Sequence, residues 1–216
     1  MKKVVVIMAK VPIVGTVKTR LRPFLSAEQS ATLAECFLRD TVGKAKSLPN
    51  ELIIAYTPVE KLDVLLAILS NEQIFIEQKG VNLGDKMFHA FEFAFVQNSD
   101  AVVMIGTDSP TFPAQFITQA FEMLSETDAV LGETTDGGFY LIGLQKLEKE
   151  IFEAVEWSSP KTFNQMVQNI ENLGWKLSLL PNWYDVDTPD DLKRLKKDLS
   201  KNPSIAPKTF EFLESL

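Results

Sequence analysis

Residues 128–144, DAVLGETTDGGFYLIGL, determine what kind of sheet this chain builds. Two short apolar runs, at 128–133 and 138–144, enclose a turn that contains Asp136 and two glycines. Short apolar runs bounded by turn residues are typical of buried strands, and glycine permits a tight turn between them. Because a tight turn joins only antiparallel neighbours, this segment predicts an antiparallel step in the sheet.

Upstream of this pair, predicted strands and helices alternate. The strands are expected at 3–9, 51–56, 73–78 and 101–106, and the helices at 26–46, 58–69, 83–97 and 113–125. This alternation is typical of parallel strands with helices on both faces of the sheet. Downstream we expect a helix at 160–172, a strand at 175–181 and a closing helix that starts after Thr188. The prediction is therefore an α/β fold with a mixed, mostly parallel sheet.

The domain organisation is predicted to be simple. A chain of 216 residues is long enough for one sizeable domain, and no repeat, low-complexity stretch or long linker interrupts it. We expect one domain over residues 1–200 and a C-terminal tail over 201–216, which contains two prolines.

Charge and cysteine content exclude several classes of function. A net charge of −7 argues against a nucleic-acid binder, yet a few local cations are enough to hold a nucleotide. The single cysteine, Cys36, excludes an internal disulfide and favours a reducing cytoplasm. One cysteine and one histidine also exclude a zinc site of soft ligands, so any metal would be Mg²⁺ or Mn²⁺ on carboxylates. No apolar run is long enough for a signal peptide or a membrane span.

The segment after the first strand, AKVPIVGTVKTRLRP at 9–23, is called the first loop here. It is the most basic stretch of an acidic chain and carries Lys10, Lys18, Arg20 and Arg22. In parallel α/β sheets the loops at the carboxyl ends of strands form the binding crevice, so this loop suits a polyphosphate. The alternative is a solvated loop whose cations balance nearby acids. It does not match a Walker A motif, because Val17 precedes Lys18, or a G-x-G-x-x-G motif, because Gly15 stands alone.

Three acidic positions lie next to turn residues. Asp108 follows the strand at 101–106, where it suits either a metal ligand or a turn aspartate before proline. Asp136 is followed by paired glycines, which suit either a ligand contact or a plain hairpin turn. Asp185 and Asp187 would point to the same side of an extended segment, although helix capping is an equal alternative.

Four motifs in this order carry a family resemblance: KVPIVGTVKTRL, GTDSPTFP, DGGFYLIGL and DVDTPDDL. The chain resembles the GT-A, or nucleotide-diphospho-sugar transferase, superfamily and, within it, the bacterial DUF2064 family of uncharacterised glycosyltransferase-like proteins. It is more distantly similar to the molybdenum-cofactor and phospholactate guanylyltransferases. The resemblance runs from Met1 to about Ser200. It implies a Rossmann-like three-layer α/β/α sandwich with a mixed, mostly parallel sheet.

The resemblance also implies roles for particular residues. The first loop is expected to wrap the phosphates of a nucleotide through Lys10, Gly15, Lys18, Arg20 and Arg22. Asp108 and Asp187 match metal-binding aspartates, with Mg²⁺ or Mn²⁺ as the expected cofactor. The base or ribose is expected near Gly80, Leu83 and Gly84.

The acceptor pocket is expected beside Asp136, Gly137 and Gly138, with Asp136 or Glu133 as the base that deprotonates an acceptor hydroxyl. Lys18, Asp108 and Asp136 are the expected catalytic residues. The resemblance favours a metal-dependent glycosyltransferase that uses a nucleotide sugar and a small acceptor. A nucleotidyltransferase that releases pyrophosphate is the alternative, because Pro110 replaces the second aspartate of an Asp-x-Asp motif. A non-catalytic nucleotide-binding protein is the third possibility.

Overall fold

The structure is a computed structural model that describes residues 2–22, 24–69 and 73–216. Two residues named in the sequence predictions lie outside these ranges: Met1, the first residue of the predicted domain, and Pro23, the last residue of the first loop. The strands are β1 Lys3–Lys10, β2 Glu51–Thr57, β3 Ile74–Glu77, β4 Ala101–Ile105, β5 Ala129–Thr134, β6 Phe139–Leu144 and β7 Leu177–Trp183. The α-helices are α1 Ala27–Lys46, α2 Leu62–Ile68, α3 Leu83–Val96, α4 Ala114–Met123, α5 Thr162–Asn172, α6 Pro189–Lys201 and α7 Pro207–Glu214.

The strands of the described chain form one sheet in the order β3-β2-β1-β4-β6-β5-β7. Strand β6 runs antiparallel to both of its neighbours, and the other pairs are parallel. The predicted antiparallel step at 128–144 is therefore confirmed. As a result, the carboxyl ends of six strands and the amino end of β6 meet at one edge of the sheet.

Each central strand is buried on both faces, which explains its continuous apolar sequence. Val5 and Ile7 of β1 face a cluster formed with α1, α2 and α4, whereas Val4 and Val6 face a cluster formed with α3 and α5. Helices therefore cover both faces of the sheet. The predicted three-layer α/β/α sandwich is confirmed.

A third apolar cluster joins the first loop to the C-terminal part of the chain. Leu21 of the first loop, Phe37 of α1 and Tyr184 after β7 are each at most 1% exposed and pack together with residues of α6 and α7. Helix α7 also packs against α1, where the Asp40 carboxylate accepts hydrogen bonds from the backbone N–H of Lys208 at 3.0 Å and of Thr209 at 2.8 Å. The cluster holds the first loop beside the segment that precedes α6. The division of the chain at residue 200 stays a prediction.

Local signals place the helix starts. Ser26 and Gln29 form a capping box at the start of α1, and Thr188 and Asp191 form another at the start of α6. Asp187 therefore is not the residue that caps α6, and its carboxylate is left for other contacts. No helix in the described ranges combines the length and the apolar composition needed to cross a bilayer.

Candidate active site

The carboxyl edge of the sheet borders a cleft of about 790 Å³. Its walls come from the first loop, the segment after β4, the β5–β6 turn, residues 158–160 and the segment between β7 and α6. Three of these segments are close because the carboxyl ends of β1, β4 and β5 lie at one edge. Three of the predicted cations, Lys10, Lys18 and Arg20, therefore line the same cleft as Asp108, Asp136 and Asp187.

Lys18 occupies the centre of this arrangement. Its backbone is left-handed, with φ 46° and ψ 38°, and a short 3-10 helix, Thr19–Leu21, follows it. The side chain is only 6% exposed, and its Nζ lies 2.5 Å from Asp108 Oδ1 and 3.3 Å from Asp187 Oδ1. The same Nζ donates a hydrogen bond to Val186 O at 2.8 Å. One ammonium therefore links the segment after β4 to the segment before α6.

Two opposing effects set the charge of Lys18. Burial lowers the pKa of the lysine, but the carboxylates of Asp108 and Asp187 raise the pKa by more, so the net value lies above the ordinary 10.5. The ammonium also lies 5.2 Å from the centre of the Phe37 ring, an attractive cation–π distance. Lys18 therefore carries a permanent positive charge in the floor of the cleft.

The two acidic segments are tied to each other as well as to Lys18. The backbone N–H of Val186 donates to Asp108 O at 2.8 Å, and Ser109 Oγ donates a hydrogen bond to Asp185 Oδ1. Asp185 and Asp187 both line the cleft, as their alternate spacing predicts. Burial raises the pKa of Asp185 to about 7, and nearby Asp108 and Asp136 add to this effect against the opposing hydrogen bond from Ser109.

The other first-loop cations are less enclosed. Arg20 is 75% exposed and places Nη1 3.7 Å from Asp187 Oδ2. Lys10 lines the cleft and donates to Thr16 O at 2.8 Å. Arg22 donates to Gly15 O, and neither of these two residues lines the cleft. Lys10, Lys18 and Arg20 are thus the first-loop cations that the structure brings to the cleft.

The β5–β6 turn orients Asp136. Its Oδ1 accepts hydrogen bonds from Thr134 Oγ1 at 2.6 Å and from the Gly138 N–H at 3.1 Å, and the residue is exposed at the cleft wall. Gly137 has φ +88°, and a Cβ there would lie 2.3 Å from Pro160 O. Only glycine fits this turn against the 158–160 wall, because a Cβ would clash with backbone.

Glu133 faces other contacts. Its Oε2 accepts a hydrogen bond from Asn182 Nδ2 at 3.0 Å, and it is not among the residues that line the cleft. A register shift between Gly132 and Glu133 in β5 accompanies this placement. Asp136 is thus the better-placed of the two predicted bases.

The predicted base or ribose region is only partly at the cleft. Leu83 lines it, whereas Gly84 packs under Trp157, whose ring would lie 2.6 Å from a Cβ at that position. Gly80 has φ +129° and packs against Asp85. Gln78, which sequence reasoning did not select, lines the cleft beside Leu83. Its position as the last residue of the predicted strand at 73–78 was the available signal.

The carboxylates suit a hard cation, although they do not form a complete cage. Within residues 2–22, 24–69 and 73–216, no group of three or more His, Cys, Asp or Glu side chains is placed to hold a metal ion. Asp108 and Asp187 nevertheless each direct an oxygen at the same point, now contacted by Lys18 Nζ. Proteins typically bind Mg²⁺ through one or two carboxylates together with substrate phosphates. The donor set therefore fits Mg²⁺ or Mn²⁺.

The chain is similar to a known family and to individual known proteins. Residues 41–159 match the family described as an uncharacterised protein conserved in bacteria, DUF2064. The chain belongs to this family. The matched region contains Asp108 and Asp136, and the resemblance predicted from the four motifs is confirmed. Lys18 and Asp187 lie outside the matched region.

Two proteins are similar to this chain over most of its length. The chain is 25% identical over 183 residues to 2-phospho-L-lactate guanylyltransferase of Methanocaldococcus jannaschii, covering 83% of this chain and 76% of that protein. A crystal structure from Desulfovibrio desulfuricans G20, whose name assigns it to the nucleotide-diphospho-sugar transferases, is 31% identical with a TM-score of 0.94. That match covers 100% of this chain and 95% of the other.

A more distant structure shares the fold alone. The 4-diphosphocytidyl-2C-methyl-D-erythritol synthase of Anaerococcus prevotii is 16% identical, with a TM-score of 0.61 and coverage of 92% of this chain and 98% of the other. The first two relatives carry transferase names, a guanylyltransferase and a nucleotide-diphospho-sugar transferase.

Proposed function

We propose that this DUF2064 protein is a nucleotide-dependent transferase, in which the first loop and Lys18 bind the phosphates of an activated donor and a small acceptor lies beside Asp136. Glycosyl transfer from a nucleotide sugar is the first candidate. The observation that carries the proposal is the meeting of Lys18 with Asp108 and Asp187 in the floor of a cleft. The name of the 31% identical relative from Desulfovibrio desulfuricans supports it.

Asp108 and Asp187 are the residues that would hold Mg²⁺ or Mn²⁺ in this proposal. A bound divalent cation would supply positive charge to the phosphate oxygens of the donor. Lys18 adds a second positive charge, and because its side chain is only 6% exposed, water screens that charge less than the charge of a surface lysine. Such preorganised charges stabilise the negative charge that develops on a leaving phosphate.

The acceptor side depends on Asp136. Its Oδ1 is held by Thr134 and Gly138, so the carboxylate keeps one orientation at the cleft wall. In glycosyl transfer, this carboxylate would accept the proton of an acceptor hydroxyl while that oxygen bonds to the anomeric carbon of the sugar. The bond from that carbon to the nucleoside diphosphate breaks, and the diphosphate leaves. The turn that holds Asp136 is itself fixed, because the Phe163 N–H donates to Gly137 O at 2.9 Å. Asp136 and the phosphate-binding residues then act from two sides of one cleft.

Nucleotidyl transfer is the second candidate, and one feature of the site favours it. The segment after β4 offers Asp108 followed by Ser109 and Pro110, so the second carboxylate comes from the distant Asp187. In this reaction a substrate phosphate attacks the α-phosphorus of a nucleoside triphosphate and pyrophosphate leaves. Positioning then matters more than a strong base. The 25% identical relative is a guanylyltransferase by name.

One experiment separates these candidates. Nucleoside triphosphates and nucleotide sugars are each titrated against the purified chain with and without Mg²⁺ or Mn²⁺, and released diphosphate and pyrophosphate are measured. Metal-dependent binding of a nucleotide sugar with slow diphosphate release is expected for glycosyl transfer. Metal-dependent binding of a triphosphate with pyrophosphate release would instead establish nucleotidyl transfer. Tight binding with no release of either product across a panel of acceptors would indicate a binding protein.

Replacement of Asp108 tests the site itself. Asp108→Ala is expected to abolish the metal dependence of nucleotide binding, because it removes one of the two convergent carboxylates. Glu122→Gln, an exposed carboxylate on α4, is the matched control and should behave as the wild type. Unchanged metal dependence and turnover in Asp108→Ala would mean that the site lies elsewhere.

A further inference from the structure

Gln78 carries a feature that the proposed function leaves unused. It directly follows β3, and its backbone N–H donates to Tyr56 O at 3.0 Å, which extends the β2–β3 pairing by one residue. Its side chain lines the cleft, and the side-chain Nε2 donates to Ala55 O at 2.8 Å and to Ala9 O at 3.2 Å. The side chain is therefore anchored to two neighbouring strands.

These two contacts settle the orientation of the amide. Backbone carbonyl oxygens only accept hydrogen bonds, so the NH₂ end of the glutamine must face Ala9 and Ala55. Within the described part of the chain, no group donates a hydrogen bond to the other end, Oε1. Because Gln78 lines the cleft, Oε1 is the polar atom that it offers to a ligand. The result is a hydrogen-bond acceptor that is oriented before any ligand binds.

The place of Gln78 in the sheet separates it from Asp108. Strand β3 is two strands away from β1, which leads to Lys18, and three away from β4, which leads to Asp108. The Gln78 amide reaches from β3 to the ends of β2 and β1, through Ala55 O and Ala9 O. Gln78 and Asp108 therefore line the same cleft from opposite sides of β1.

The cleft near Gln78 is also suited to a flat ring. Met8 immediately precedes Ala9, whose carbonyl holds Gln78, and it lines the cleft together with Leu83 and Met87. Methionine and leucine side chains provide adaptable apolar contacts, and ligand pockets combine such surfaces with a few placed polar groups. Asp136 follows β5, which lies on the other side of β1 and β4 in the sheet order, on the proposed acceptor side.

We propose that Gln78 selects the nucleobase of the donor nucleotide, with Oε1 accepting a hydrogen bond from an exocyclic amino group of the base. This inference rests on the proposed function and adds a substrate class to it. A base that presents a carbonyl oxygen at the same position would set two acceptors against each other. The unpaired acceptors would then lower affinity for such bases.

The test uses pairs of nucleotides that differ by one amino group. CTP and UTP differ at position 4, ATP and ITP at position 6, and GTP and ITP at position 2. Each is titrated calorimetrically against the wild-type chain in the presence of Mg²⁺, with the corresponding nucleotide sugars where the triphosphates bind weakly. The amino-bearing member of one pair is expected to bind at least about ten-fold tighter than its partner.

Gln78→Met removes the acceptor while keeping side-chain length. It is expected to reduce the preference within that pair to about two-fold or less, chiefly by weakening binding of the amino-bearing nucleotide. Gln145→Met is the matched control, since Gln145 is half-buried at the other end of β6, away from the cleft edge. It should retain the full preference, and thermal unfolding of both variants verifies that they fold.

Three outcomes overturn the inference in distinguishable ways. If the wild type binds nucleotides with metal dependence but discriminates within no pair, Gln78 does not select the base and the proposed function stands. If a wild-type preference survives in Gln78→Met, another group selects the base. If no triphosphate or nucleotide sugar binds the wild type at all, the proposed function fails and the inference fails with it.

Discussion

Two buried lysines contact the same segment, residues 108–112, from two regions with opposite electrostatics. In the cleft, Lys18 meets the carboxylates of Asp108 and Asp187, and its pKa lies above the ordinary value. Beneath the segment, Lys44 of α1 is 9% exposed and donates to Pro110 O at 2.8 Å and Phe112 O at 2.5 Å. Burial lowers the pKa of Lys44 to about 8, and the Asp40 carboxylate opposes this shift only in part.

The difference shows that partners, rather than burial alone, decide the charge of a buried lysine. Carboxylates hold the Lys18 ammonium charged, and the proposed function assigns that charge to a donor phosphate. Carbonyls hold Lys44 in place but compensate its charge less well, so Lys44 positions the segment that carries Asp108. In the proposed function, the region around Lys18 would take part in the chemistry and the region around Lys44 would support it. The predictions below test that distinction.

Removal of Lys18 should have the largest effect. Lys18→Met takes the positive charge out of the cleft and leaves Asp108 and Asp187 to repel the donor phosphates. We expect turnover to fall by about a hundred-fold or more, the size of effect seen when one transition-state contact is lost. Steady-state kinetics measures it, with the donor and acceptor that the titrations proposed above select.

Lys197→Met, an exposed lysine on α6, is the control and should retain full turnover. Turnover above a tenth of the wild-type value in Lys18→Met would contradict a catalytic role for Lys18 and would reduce it to a structural tie between loops.

Replacement of Lys44 should affect stability in a pH-dependent manner. Because its folded pKa is about 8, against 10.5 ordinarily, the unfolded chain binds more protons between these values. The contribution of Lys44 to the free energy of unfolding therefore rises from about pH 8 to 10.5 and is flat below pH 8. A shift of this size corresponds to roughly 3 kcal/mol.

The comparison of wild type with Lys44→Met isolates this contribution. Cys36, Tyr140 and Tyr184 have raised pKa values and make both proteins less stable at alkaline pH, so only the difference is informative. Urea unfolding at several pH values should show the wild type gaining relative to the variant. Parallel stability curves from pH 8 to 10.5 would contradict a low pKa for Lys44.

Arg20 should give the smallest effect on folding, although it shares Asp187 with Lys18. It is 75% exposed and 3.7 Å from the carboxylate, and exposed ion pairs stabilise proteins by about 0.5 kcal/mol or less. Arg20→Gln should thus leave the free energy of unfolding nearly unchanged while weakening nucleotide binding most at low salt. A stability loss beyond 1 kcal/mol would show that the exposed pair is structural after all.

Much of the fold was predictable because its signals are local. The apolar runs of β1 and β4, the capping boxes at Ser26 and Thr188, and the glycine turn after Asp136 each depend on residues close in sequence. The antiparallel placement of β6 followed from the short turn alone. Family membership could also be predicted from the motifs, two of which, GTDSPTFP and DGGFYLIGL, lie in the matched region.

The candidate site was predictable in composition but only partly in arrangement. Gly84 and Glu133 belong to motifs near the cleft, yet Gly84 packs under Trp157 and Glu133 accepts a hydrogen bond from Asn182. Which side of a strand or helix meets the cleft depends on packing against distant residues. Gln78 was missed for the same reason, since its orientation depends on carbonyls of β1 and β2.

The amino-acid sequence by itself determined the α/β class, the mixed sheet, the basic first loop and the acidic positions that follow strands. The tertiary structure alone decided that Lys18 meets Asp108 and Asp187, which lie 90 and 169 positions away along the chain, while Lys44 meets carbonyls. Strand order brings the ends of β1 and β4 together, and the apolar cluster around Tyr184 brings in the segment before α6. The charge state of Lys18 therefore depends on the folded sheet edge and not on its sequence neighbours, because distance in space decides which charged groups interact.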